Sequence, residues 1–372
     1  MIDLGLPGKP ADHRVVVAMS GGVDSSTAAA LVAEAGYQTV GLTMQLYDQG
    51  AQARPGTKSC CAGQDILDAR RVADQIGIPH YVLNYESRFK DQVMDDFAAA
   101  YLAGETPIPC VRCNQTVKFR DMLGQARDLG AAALVTGHYV RRVAGDRGPE
   151  LHRAADPGKD QSYFLFATTG EQLEFLRFPL GGMAKAETRA HAQRLGLAVA
   201  EKPESMDICF VPGGDYARIV ERLRPEARDP GDIVDLEGKV LGRHDGIINF
   251  TVGQRKGIGI GGTAEPLYVI RIEPEARRVV VGPRAALGRD RLTVKEVNWL
   301  GEGPLRSKVH RVSVKIRSMF QPVPAVLFGT GDDTAQVKFD DPQDGVAPGQ
   351  ACVFYDGDRV LGGGWIAREV TG

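Results

Sequence analysis

Cysteine is scarce in this chain: there are six in 372 residues, at positions 60, 61, 110, 113, 209 and 352. So few, so widely spread, argue against a disulfide framework and for a reducing compartment, where thiols serve metals or chemistry. No run of about 18 apolar residues occurs, so the sequence offers no transmembrane helix and no membrane partner. The N-terminus lacks the basic-then-apolar pattern of a secretion signal, and a cytoplasmic location is expected. The net charge of −2 carries no global excess of either sign. A nucleic-acid partner would therefore have to be held by local patches. What is present is ordinary for a soluble globular protein: 43% hydrophobic and 25% charged residues, in a length that fits two or three domains.

One further absence is informative. No Gly-Lys-Ser/Thr occurs, so no Walker-type lysine reaches nucleotide phosphates from a glycine-rich loop. Instead an apolar run over 15–19, read as a buried strand, leads into Ser20-Gly-Gly-Val-Asp-Ser-Ser26 and then an alanine-rich helical pattern to about residue 35. Glycines let backbone approach a ligand closely, and the helix N-terminus presents free N–H groups and a positive dipole end. That is an anion site suited to phosphate. The motif resembles the pyrophosphatase (PP) loop of enzymes that cleave ATP between the α- and β-phosphates to adenylate a substrate. The bland alternative is an ordinary glycine-rich turn.

Strand and helix alternate through the first part of the chain. Strands are expected at 39–44, 79–84 and 133–136, and helices at 64–76, 87–103 and 117–129. This rhythm implies parallel βαβ units with ligands at the carboxyl ends of the strands. Beyond about 215, short apolar segments are separated by Gly/Pro turns such as Asp245-Gly246 and Asp356-Gly357, and mostly β structure is expected. A second boundary falls near Gly288.

Further along, the chain carries Gly41-Leu-Thr-Met44, Cys113-Asn114, Lys118-Phe119 and Thr136-Gly-His-Tyr139. It also carries Lys159-Asp-Gln-Ser-Tyr-Phe164, Asp207-Ile-Cys-Phe210, Gly253-Gln-Arg-Lys-Gly-Ile-Gly259 and Pro348-Gly-Gln350. With the Ser20–Ser26 motif, this ordered set resembles the bacterial tRNA-specific 2-thiouridylases over nearly the whole chain. The resemblance implies a PP-loop (adenine nucleotide alpha hydrolase-like) α/β domain over 1–215, a small central domain over 216–288 and a C-terminal β-barrel over 289–372. It implies ATP contacts from Ala18, Met19, Ser20, Gly21, Gly22, Val23, Asp24, Ser25, Met44 and Gly137. It implies tRNA contacts from His138, Lys159, Asp160, Gln161, Arg317, Ser318 and Gln350. By the same resemblance Cys209 is the residue that carries a persulfide and Cys113 its partner, with a cysteine desulfurase or sulfur-relay protein as donor.

Replacing C=O by C=S in uracil requires a better leaving group than oxide, which adenylation by ATP provides. It also needs Mg²⁺ to offset phosphate charge and a reactive sulfur. Asp24 is the candidate for organising the metal; capping the helix that follows is its alternative role. Prolines 107 and 109 interrupt any helix, and a new one is expected soon after, with Cys110 and Cys113 near its start. A helix start favours thiolate there. Many relatives have aspartate where this chain has Cys110, which puts the family's acid/base role in doubt. Cys110, Cys113 and Cys209 could instead ligate a four-iron four-sulfur cluster with one iron open to sulfur. The other reading is a Cys209 persulfide resolved by Cys113 through a transient disulfide. Both readings stand. Cys352 reads as core; Cys60 and Cys61 read as packing residues.

His310-Arg-Val-Ser-Val-Lys-Ile-Arg-Ser318 alternates strictly, placing Arg311, Ser313, Lys315 and Arg317 on one face of a strand to meet phosphates or simply water. The glycine-rich segment 253–262 reads as a loop too mobile to be rigid, with Arg255 and Lys256 on backbone phosphates, or else a long hairpin loop. Two other functions compete: a PP-loop adenylating ligase acting on a small-molecule acceptor, and a non-catalytic nucleotide-gated RNA-binding protein.

Overall fold

The computed structural model describes residues 2–47, 61–204, 208–211, 213–262 and 265–369. The chain divides into two compact units: residues 1–92, 112–210 and 358–360, and residues 93–111, 211–357 and 361–372.

The first unit is built on a parallel sheet. Its strands are β1 (Arg14–Ala18), β2 (Gln38–Gln45), β3 (His80–Asn84), β4 (Ala133–Val135) and, after the β5 (Val140–Gly145) and β6 (Gly148–Arg153) hairpin, the short β7 (Leu176–Arg177). The order is β3-β2-β1-β4-β7, with every neighbour parallel. β1 is apolar on both faces because both are covered: Val15, Val16 and Val17 are all fully buried. Helix α1 (Val23–Glu34) packs against it through Ala28, Ala29 and Val32, whose small or compact side chains bring helix and sheet close. Helix α2 (Cys61–Ile76) adds Ala69, Val72 and Ala73 to the same core. The helix expected at 117–129 starts earlier, with Pro109–Arg112, and continues through a wider π-helical stretch, Cys113–Met122, into Leu123–Asp128.

The second unit also takes in the helix Asp95–Leu102, inside the helix expected at 87–103; from 211 onward it is mostly β, as its turn-rich sequence predicts, and includes the helix Tyr216–Leu223, which the sequence reading missed. Its segments β8 (Gly231–Val234), β9 (Val240–His244), β10 (Tyr268–Glu273) and β11 (Arg278–Gly282) form a four-stranded sheet. Six strands follow: β12 (Gly288–Trp299), β13 (His310–Lys315), β14 (Val323–Gly329), β15 (Ala335–Asp344), β16 (Ala351–Asp356) and β17 (Arg359–Ile366). They run β12-β15-β14-β13-β16-β17, and β12 pairs back onto β17, as at Val294↔Ile366, to close an antiparallel barrel without free edges. Val312, Val314, Cys352 and Phe354 point into its core. No helix among the described residues is long and apolar enough to cross a membrane.

Leu134 sits fully buried in the middle of β4. Leu134→Ala is expected to lower the unfolding free energy of the first unit by about 2–5 kcal/mol, read from urea denaturation followed by circular dichroism.

Candidate nucleotide and thiol site

The strand order reverses between β1 and β4, so the connections leaving their carboxyl ends diverge and open a crevice at that point. The loop after β1 is Met19–Gly22, and the residues after β4 are Thr136, Gly137 and His138. They meet closely. A Cβ on Gly137 would lie 2.7 Å from the Ser25 amide nitrogen and 2.9 Å from the Asp24 carbonyl carbon. Gly21 takes φ +75°, and a Cβ there would strike the Asp65 backbone. Both glycines are required by close backbone contact.

The loop is held from below. The Ser25 hydroxyl accepts from the Ser20 amide at 3.0 Å and lies 3.1 Å from the Ser20 hydroxyl. Thr43 Oγ1 donates to the Met19 carbonyl and lies 2.8 Å from His80 Nε2, so the hydrogen-bond pattern puts the imidazole proton on Nε2. Desolvation, reinforced by nearby Arg70, lowers the His80 pKa and keeps the ring neutral. Met44 follows Thr43 on the same strand. The helix cap at Gly22 has no side-chain hydrogen bond, which leaves the first α1 amides uncapped on the crevice side.

Asp24 does not cap α1. It lies within the first turn, and its Oδ1 accepts from the Tyr139 hydroxyl at 2.8 Å and from Lys185 Nζ at 2.6 Å. Lys185, only 12% exposed, also meets Glu204 at 2.9 Å, and Glu204 accepts from Lys159 at 2.7 Å. The result is a chain of alternating sign, Asp24–Lys185–Glu204–Lys159. Hydrogen bonds from Lys159 first and Lys185 second draw the Glu204 pKa down to about 2. Desolvation first, and Asp24 after it, push the Tyr139 hydroxyl pKa up, so it stays a donor. On the other side of the loop, Lys202 reaches the Gly21 carbonyl, Asp65 and Asp68. Lys185, Glu204 and Lys202 were not singled out in the sequence, where nothing in their spacing marks them. Tyr139 and Thr43 lay inside quoted motifs without a role.

The expected tRNA residues divide sharply. Lys159 belongs to the charged chain above. Asp160 is 2% exposed and accepts from the amides of Ala154 and Ser162, the Ser162 hydroxyl and Arg153, so it shapes its own segment. Gln161 accepts from the Tyr139 amide at 2.8 Å and so positions the Tyr139–Asp24 contact. His138 pairs through Nδ1 with Thr136 Oγ1 and meets Phe119 edge-on at 5.9 Å. Desolvation, with Lys118 adding to it, pushes its pKa down to about 3, so the imidazole is neutral at ordinary pH. In the second unit, Gln350 donates to the Thr106 carbonyl, and Arg317 and Ser318 follow β13. The basic face expected on β13 is not free for phosphates: Arg311 is paired with Asp340, and Lys315 is buried.

Cys113 is buried, whereas Cys110 and Cys209 are exposed. Phe210 anchors the latter by packing edge-on against Phe89, and Tyr47 donates to the Cys209 carbonyl at 2.6 Å. Residues 205–207, just before it, lie outside the described residues, as does Cys60; of the Cys61 side chain nothing is described. Cys352 is fully buried in the barrel, as expected of a core residue, and burial raises its pKa. Among the described residues, no three Cys, His, Asp or Glu side chains gather to hold a metal ion. Cys113 and Cys209 belong to the first unit and Cys110 to the second.

Residues 13–213 match the family model described as a tRNA methyl transferase HUP domain, 218–283 a PRC-barrel domain of the same name, and 289–366 an aminomethyltransferase beta-barrel domain. The chain is 65% identical to the tRNA-specific 2-thiouridylase MnmA of Rhodospirillum centenum, covering 99% of this chain and 95% of that one. It is 61% identical to the protein of that name from Paracoccus denitrificans, with the same coverage of each. Among solved structures, a 4-thiouridine synthetase–RNA complex with bound ATP matches 58% of this chain and 51% of its own at 18% identity and a TM-score of 0.36.

Because the atoms facing Gly137 are backbone and cannot swing away, Gly137→Ala is expected to displace the first α1 turn. An affinity loss for ATP of about 100-fold, measured by calorimetry, should follow. His138 supplies a second expectation. Its folded pKa of about 3 lies below the ordinary 6.5, so unfolding at pH 5 takes up a proton on this ring, and stability falls with acid across that interval. His138→Gln should remove about one proton from the uptake on unfolding at pH 5 and flatten the stability–pH curve there.

Proposed function

The chain belongs to the tRNA-specific 2-thiouridylase family, and on that footing we propose that it replaces O2 of the wobble uridine of tRNAs for Glu, Gln and Lys with sulfur, at the expense of ATP. The observation that carries the reading is the junction of the uncapped α1 N-terminus with the Asp24–Lys185–Glu204–Lys159 chain. One end faces a phosphate site, and the other lies in the Lys159-Asp160-Gln161 segment through which tRNA is held. Domains 1–215, 216–288 and 289–372 divide the labour, with chemistry in the first and tRNA contacts in the first and last.

ATP phosphates lie over the amides of Gly21 to Ser25, where the helix dipole favours negative charge. Ala18, Met19 and Met44 border the nucleotide, and Gly137 gives it room. The residues suit Mg²⁺: Asp24 has a partly exposed carboxylate, and this ion is bound through one or two carboxylates plus substrate phosphates. When bound, it offsets phosphate charge. Lys185 holds Asp24 in place and adds a cation beside the phosphates. His138, being neutral, orients the base by hydrogen bonding.

The uridine O2 attacks the α-phosphorus, and pyrophosphate leaves, so the oxygen becomes part of an AMP leaving group. Cys209 takes sulfur from a persulfide-bearing donor, a cysteine desulfurase or sulfur-relay protein. Its thiolate attacks the outer sulfur, and the donor thiolate departs. The outer sulfur of the Cys209 persulfide attacks C2, and AMP leaves with the original oxygen. The Cys113 thiolate then attacks Cys209 Sγ. The sulfur–sulfur bond breaks toward the sulfur on C2, giving thiouridine and a Cys113–Cys209 disulfide, which a dithiol reductant reopens. No step uses Cys110 or a cluster.

The test is thiolation of unmodified tRNA by iron-free protein supplied with ATP, Mg²⁺, a persulfide donor and dithiothreitol, with 2-thiouridine quantified by mass spectrometry. Wild type and Cys110→Ala should form product, and Cys113→Ser and Cys209→Ser should form none. Activity that appears only after iron–sulfur reconstitution, or survives in Cys209→Ser, would overturn the sulfur route.

A further inference from the structure

The turn that follows β13 bears an unusual pair of side chains. Met319 is 90% exposed and Phe320 42% exposed, in an otherwise polar stretch. Arg317 places its guanidinium over the Phe320 ring, 5.3 Å from the centroid. The same guanidinium donates to the Val252 and Gly345 carbonyls. Its slot exists because both flanking residues are glycines with positive φ. A Cβ on Gly253 would lie 3.0 Å from Arg317 Nη2, and one on Gly345 2.2 Å from it. Arg317 therefore acts as a positioning residue, tying the β13 turn to the 253–257 loop.

The root of that loop is stitched by hydrogen bonds. The Gly253 amide donates to the Val269 carbonyl, and the Val269 amide donates to the Gln254 carbonyl. The Gln254 side chain accepts from the Thr251 amide and donates to the Lys256 carbonyl. A stitched root thus carries an exposed tip at Arg255, Lys256 and Gly257. Neither Arg255 nor Lys256 meets a carboxylate among the described residues, whereas Arg271, Arg284 and Arg311 of the same unit each do.

We propose that these two segments form one RNA-gripping surface, on which an unstacked tRNA base lies against Phe320 and Met319 while Arg255 and Lys256 hold the adjoining phosphates. The proposal rests on tRNA being the substrate. Sequence-tolerant RNA contact combines an aromatic platform, often backed by a guanidinium plane, with cations that follow the backbone. The exposed Phe320, its stacked Arg317 and two cations without acid partners supply those parts. A protein partner would find little here to bury beyond two side chains, and the free cations favour a polyanion.

The experiment is equilibrium tRNA binding by the full-length protein at several salt concentrations, by filter retention, alongside the wild-type thiolation assay. Phe320→Ala should weaken binding about 5- to 100-fold with an unchanged salt slope, and Phe320→Trp should restore it, since indole stacks at least as well. Arg255→Ala/Lys256→Ala, at exposed positions that do not threaten the fold, should weaken binding and reduce the log–log salt slope by about 2, near 1 per cation lost. If the wild type thiolates tRNA while these variants bind it unchanged, the surface is refuted and the enzymatic reading stands. Equal loss in Phe320→Ala and Phe320→Trp also refutes stacking. If the wild-type protein binds no tRNA, both fall together.

Discussion

Close backbone contact between Gly137 and the first turn of α1 is the constraint from which the rest of the site follows. It exists because β1 and β4 are neighbours in a sheet whose strand order reverses between them. That contact closes one side of the helix N-terminus and leaves its amides facing the other. An uncapped helix N-terminus of this kind favours anions, since its amides and dipole both present positive charge. The Ser20–Ser25 and Thr43–Met19 hydrogen bonds prevent the loop from relaxing away from that geometry.

Around this point the protein arranges charge in alternation rather than concentrating it. Asp24, Lys185, Glu204 and Lys159 neutralise one another in sequence, and Lys202 meets Asp65 and Asp68 on the far side of the loop. A partly buried cation carries a desolvation cost, and a carboxylate on each side of Lys185 offsets it. Glu204, held anionic far below its usual pKa, keeps both lysines in place. Lys159 is thus coupled by contact to Asp24 despite a long separation in sequence. Asp160 and Gln161, its neighbours, serve as scaffold.

The thiols follow a different logic. Cys209 is exposed although the residue after it is buried against Phe89, so an anchored backbone carries an exposed side chain. Cys113 is buried on the helical stretch that opens with Pro109-Cys110-Val-Arg-Cys113. Three thiols read in sequence as a ligand set, because spacing records which cysteines exist and not where their sulfurs point. What the fold adds is their differing exposure, with Cys113 buried and the other two exposed.

Much of this was readable before folding. The apolar run of β1, the small-residue turn and the alanine-rich start of α1 specify strand, loop and helix locally, because hydrophobic period and glycine placement act over a few residues. The barrel strands announced themselves by alternation and turn chemistry in the same way. The Asp24–Lys185 contact, the burial of Lys315, the pairing of Arg311 with Asp340 and the Arg317 slot between Gly253 and Gly345 were not readable. Each joins residues far apart in the chain, and each is decided by which strand lies beside which. Local sequence determined the chemical parts of this protein; only the tertiary structure decided which charges face substrate and which face each other, because a side chain's partners are set by packing and not by its neighbours in sequence.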